Sequence, residues 1–124
     1  VKLGRAVLGK TGIEVSRLCF GALTMSPLQC DMPPERGAEL ILYAYERGVD
    51  FVDTAEYYRN YAHIKPALAR APSIKVAAKA YCYDRKTAAE SFENAMRGRD
   101  SPSGHVPMMV CTSPTLLIAN MYRQ

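Results

Sequence analysis

Three apolar runs, Leu18-Cys19-Phe20, Phe51 to Ala55 and Ile74 to Ala80, are each followed by a stretch with helical spacing, and this alternation constrains the fold more than any other feature of the chain. Strands and helices in strict alternation imply parallel strands joined by right-handed crossovers, in an open sheet or in a barrel of repeated units. Pro33-Pro34 can open the first helix, with Ala38, Leu40, Ile41, Ala44 and Tyr45 on its inner face and Gly48 as its stop. A second helix is predicted over 61–70, kinked at Pro66 or starting near residue 65, because an interior proline removes a hydrogen bond. Thr87-x-x-Glu90 has the form of a capping box opening a third. Ahead of these units, short alternations around Gly9 and Gly12 predict a β-hairpin.

The chain is 124 residues long, enough for one core but well short of the roughly 250 residues of a complete eight-unit barrel. After Asp100 the character changes. Met108 to Cys111 and Leu116 to Ile118 have the makings of a fourth strand and a short helix, but prolines at 102, 107 and 114 interrupt every local period. The organisation expected is a unit over 1–100 and a divergent tail over 101–124, frameshifted or disordered.

A net charge of +4 with no basic block gives no reason to expect nucleic acid as a partner. Apolar runs too short for a bilayer and the lack of a signal-like start predict a cytoplasmic protein without membrane contact. Cysteines at 19, 30, 82 and 111 have no C-x-x-C spacing, so reduced thiols are expected, with no metal site. His63 and His105 are read as ordinary surface histidines.

The chemistry should lie in Val49 to Tyr58, where an apolar strand runs into Asp53, Thr54, Glu56, Tyr57 and Tyr58. Strand ends are where α/β folds keep their sites. Taken alone, Asp53-Thr54 also reads as a cap or turn, Lys79 as a solvated surface charge, and Gly21-Ala22-Leu23 as a tight turn after a buried strand.

Taken together, these stretches resemble a known family. Leu8-Gly9-Lys10-Thr11-Gly12, Val15 to Ala22, Tyr43 to Tyr58 and Lys75-Val76-Ala77-Ala78-Lys79, in that order, look like the N-terminal part of an aldo-keto reductase over residues 1 to about 100. The resemblance implies an α/β fold: an N-terminal hairpin followed by βαβαβα units of a partial (β/α)₈ TIM barrel. It implies an oxidoreductase moving hydride between NADP or NAD and a small aldehyde or ketone. It implies Tyr58 as the general acid, Lys79 beside it and Asp53 orienting Lys79, with Gly21, Ala22, Leu23 and Asp53 near the cofactor. The chemistry is coherent, since an ammonium beside a phenol stabilises the phenolate left when the proton is given up.

Two departures stand out. Arg59 follows Tyr58 where the family usually has glycine, so a different loop path is expected there, and the family's fourth catalytic residue, a histidine in a Leu-Leu-His context, has no counterpart. Little or no reductase activity is therefore expected of these 124 residues by themselves, and self-association through an unpaired strand edge is expected of a partial barrel. The alternatives are a catalytically inactive fragment of the family and a small α/β binding module.

Overall fold

The computed structural model describes residues 3–80, 84–98, 108–112 and 119–120. The N-terminal hairpin pairs β1 (Arg5–Val7) with β2 (Glu14–Ser16), antiparallel. Gly9 and Gly12 lie in its turn at φ 52° and 73°, values that glycine reaches without steric cost.

Among the described residues the main sheet has five strands, in the order β3 (Phe20–Gly21), β4 (Phe51–Ala55), β5 (Lys75–Ala80), β6 (Met108–Thr112) and β7 (Ala119–Asn120). Strands β3 to β6 are parallel, and β7 is antiparallel at the far edge. The sheet is open. The fourth strand is present, but the short helix expected after it and His105 lie outside the described residues. The first core strand is shorter and later than the Leu18-Cys19-Phe20 run suggests. It pairs with β4 at only two positions, and Leu18 and Cys19 are exposed, because β3 is an edge with a single described neighbour.

Helices α1 (Pro34–Glu46) and α2 (Tyr61–Arg70) cover one face of the sheet. Their inner residues, Ile41, Ile64 and Leu68, are fully buried with Val52, Ile74 and Val76 of the strand layer. Each such side chain contributes about 1.5–3 kcal/mol through burial. Helix α2 runs through Pro66 from residue 61 rather than starting near 65. Its inner face, Ile64, Ala67 and Leu68, is buried on both sides of the proline, and that packing offsets the lost hydrogen bond.

Helix α3 (Arg85–Gly98) begins earlier than the Thr87-x-x-Glu90 pattern suggests. Asp84 is its cap: the Thr87 amide donates to Asp84 Oδ1 at 2.8 Å, and the Asp84 amide donates back to Thr87 Oγ1 at 3.3 Å. The reciprocal box is therefore Asp84 with Thr87, which places Thr87 inside the first turn. The bonds from Thr87 hold the Asp84 carboxyl below its ordinary range.

His63 is not a surface residue: it is 4% exposed in the crossing of α1 and α2. Its Nε2 lies 2.6 Å from the Met32 carbonyl, so Nε2 carries the proton. Gly37 leaves the room, since a Cβ there would lie 2.6 Å from His63 Cδ2 and 2.9 Å from Met25 Sδ.

The hairpin is fastened under the sheet by Asp50, immediately before β4. Asp50 Oδ1 accepts from the Ser16 amide at 2.8 Å, and Oδ2 accepts from Arg5 at 2.8 Å and Lys75 at 2.9 Å. Burial raises the Asp50 carboxyl, but the hydrogen bonds from Arg5, Lys75 and Ser16 outweigh it and hold the group at about 2.

Candidate active site

Strand β4 is fully buried on its helix-facing side, and on its other side only at Ala55. Val52 and Thr54 face the helices, whereas Phe51 and Asp53 are half-buried on the opposite face of the sheet. Phe51 and Asp53 are less buried than Val52 and Thr54 because the described helices lie on the other side of the sheet.

The register explains how Asp53 meets Lys79. Lys79 pairs with Ala55, two residues beyond Asp53, so the two side chains are diagonal neighbours on one face, within reach of a long side chain. Lys79 Nζ lies 2.6 Å from Asp53 Oδ1 and 2.5 Å from Oδ2. Both side chains remain about two-fifths exposed, at 37% and 41%. The same Nζ stands 5.3 Å from the centre of the Tyr58 ring. Tyr58 sits in a 3-10 turn, Glu56–Tyr58, that follows β4 directly. The carboxylate, ammonium and phenol thus form one constellation at the C-terminal side of two neighbouring parallel strands.

Arg59 closes that turn. Its amide donates to the Glu56 carbonyl at 3.1 Å, and its backbone is left-handed, φ 52° and ψ 35°. This is a conformation that glycine adopts freely and arginine at a cost of about 1–2 kcal/mol.

The loop after β3 is tied to the same place. The Ala22 amide donates to the Asp53 carbonyl at 2.9 Å, and Gly21 pairs with Asp53 across the ladder. Ala22 is fully buried, its amide bonded to Asp53 and its carbonyl to Asn60, and Leu23 begins a short 3-10 helix, Leu23–Met25. Gly21 is exposed, and a Cβ built on it would meet nothing within 4 Å.

Two residues of this region were not assigned to the site by the sequence analysis. Asn60 is fully buried and joins Thr54 of β4 to the Ala22 carbonyl. An asparagine at the start of a helix reads as a cap, and that reading hides a tertiary role. Cys19 also belongs here. Partial desolvation pushes its thiol up to about 11, the Asp53 carboxylate adding to the rise and Lys79 opposing it. Among the described residues no group of His, Cys, Asp and Glu is arranged to hold a metal, and no described helix is long and apolar enough to cross a membrane.

Over 73 residues the chain is 36% identical to a Glycine max protein named Probable aldo-keto reductase 1; the match takes in 56% of this chain and 21% of that protein. A Pseudomonas aeruginosa protein described as an aldo-keto reductase superposes with a TM-score of 0.70 at 22% identity, over 88% of this chain and 46% of that one. A structure described as a 2,5-diketo-D-gluconic acid reductase B gives 0.59 at 20% identity, over 82% and 35%. At these identities the structural likeness is one of fold. The chain spans about a fifth of the curated aldo-keto reductase and under half of these solved chains. No family model matches it.

Proposed function

We propose that this chain carries the acid–base part of a nicotinamide-dependent carbonyl reductase, with Tyr58 as proton donor, Lys79 as the cation beside it and Asp53 as the group that aims Lys79. The observation that carries the reading is Lys79, which is bonded to Asp53 and stands 5.3 Å from the Tyr58 ring. As the carbonyl oxygen gains negative charge, Tyr58 gives it a proton, and the ammonium stabilises the phenolate that remains. Asp53 compensates the ammonium charge and holds its direction, so that the cation is placed before the proton moves.

NADP or NAD would supply the hydride. The residues suited to its nicotinamide end are Gly21, with open space over its backbone, the Ala22 and Leu23 backbone that follows, and Asp53 alongside. A small aldehyde or ketone would be taken up on the open face of the sheet, beside Tyr58.

The test is oxidation of NADPH and NADH with a panel of small aldehydes and ketones, comparing the chain with Tyr58→Phe and Lys79→Met. Removing a general acid lowers the rate by about 10²–10⁴-fold. Turnover that both substitutions abolish supports the reading; turnover indifferent to both contradicts it.

A further inference from the structure

We propose that Asn60 is a positioning residue that couples the loop carrying Tyr58 to the Gly21–Leu23 loop. Its side chain is fully buried and makes two bonds: Oδ1 accepts from Thr54 Oγ1 at 2.6 Å, and Nδ2 donates to the Ala22 carbonyl at 2.7 Å. The orientation of the amide follows from chemistry. A backbone carbonyl only accepts, so the nitrogen must face Ala22, and the Thr54 hydroxyl turns to suit the oxygen.

Asn60 is also the residue that caps α2, yet its side chain makes no capping bond. Asparagine is among the preferred side chains for that task, and here it is turned inward to a different strand. Through Ala22 the link continues, because the Ala22 amide is bonded to the Asp53 carbonyl. One side chain therefore ties the segment after Tyr58 to both strand ends, and so fixes where the phenol stands relative to Lys79 and to the Gly21 backbone.

Arg59 shows why such a clamp is needed. It lies between Tyr58 and Asn60 in a left-handed conformation that an arginine leaves when nothing holds it. With Asn60 fixed on one side and the Arg59 amide bonded to Glu56 on the other, the left-handed path is imposed. If Asn60 is released, Arg59 relaxes and Tyr58 swings away from Lys79.

The inference rests on the reductase reading for the meaning of the Tyr58 position, but its test needs no turnover. In the labelled full chain, the contact between the Tyr58 ring and the Lys79 ε-methylene is followed by nuclear Overhauser effect and by the ring-current displacement of the ε-protons. Asn60→Ala is expected to abolish the contact while the amide signals of the hairpin, held separately by Asp50, stay in place. Asn60→Asp, which keeps the acceptor for Thr54 but loses the donor to Ala22, is expected to abolish it too. Should neither variant fold, Thr54→Val removes one anchor only, and a weakened contact with shifted Asn60 amide signals is expected. A folded variant with the contact unchanged overturns the proposal and leaves the reductase reading standing. Loss of the contact in a folded variant supports the positioning role, and it does so whether or not the parent chain shows turnover.

Discussion

The Lys79 ammonium donates to both oxygens of Asp53, at 2.6 Å and 2.5 Å, although each side chain is about two-fifths exposed. A pair so open to water contributes little to folding, at most about 1 kcal/mol. Asp53→Asn is therefore expected to change the free energy of unfolding by less than about 1 kcal/mol in urea titration, and yet to lower any Tyr58-dependent rate, since Lys79 loses the group that aims it. A large loss of stability with the rate preserved would assign the pair to the fold instead.

The Asp50 cluster behaves in the opposite way. Its carboxyl is held at about 2 by Arg5, Lys75 and Ser16 against the effect of burial. A depressed carboxyl contributes stability above its unfolded value, near 3.9, and loses it as pH falls through the folded value. After allowance for screening the contribution is about 1–2 kcal/mol. Asp50→Asn should be less stable than the parent by at least that much at pH 6, and the gap should narrow between pH 4 and pH 2. A gap that does not change with pH would show that the charged bonds are not its origin.

Gly37→Ala tests the crossing of α1 and α2. Alanine is the better helix former by about 1 kcal/mol. Its Cβ, however, would lie 2.6 Å from His63 Cδ2 and 2.9 Å from Met25 Sδ. Overpacking of this kind costs about 1–3 kcal/mol, so a lower melting temperature is expected despite the gain in propensity. A higher one would mean that His63 moves aside freely.

Cys19 offers a probe of the site that needs no substrate. With its thiol pushed up to about 11, little of it is thiolate near neutrality. The thiolate fraction falls by about two decades relative to an ordinary thiol and the greater nucleophilicity returns about half, so alkylation should be about tenfold slower. Mass spectrometry of iodoacetamide-treated protein at pH 8 should show Cys30 modified well before Cys19. Asp53→Asn, which removes a charge that raises the thiol, should speed modification of Cys19. Equal rates at both cysteines would contradict this account of the site.

The parts of the fold legible in the sequence are those where one local period dominates. Strand β4 and helix α2 have the bounds expected from alternation and helical spacing, because their patterns agree with what the core buries. Asp84 was hidden because its partner Thr87 also fits the cap position of a competing pattern. His63 was misjudged and Asn60 passed over for a common reason: a polar residue on or beside a helix reads as solvated unless its partner is known. The partners here, the Met32 carbonyl and the Ala22 carbonyl, are backbone groups far away in sequence that carry no side-chain signature. Arg59 shows the converse case. Its sequence position says nothing of its backbone, whereas in the structure Arg59 takes a left-handed conformation that glycine adopts freely, held between the Glu56 carbonyl and the anchored Asn60.

The most direct test of the central claim is the rate of NADPH oxidation by the chain with a small aldehyde, measured beside Tyr58→Phe under identical conditions. Much of the positioning that accelerates such a reaction, worth roughly 7–11 kcal/mol, must come from groups that hold cofactor and carbonyl together, so a small rate is expected. The account predicts that this rate, however small, falls to the uncatalysed background in Tyr58→Phe. A rate that survives the substitution would contradict Tyr58 as the proton donor and, with it, the site assigned to Asp53, Tyr58 and Lys79.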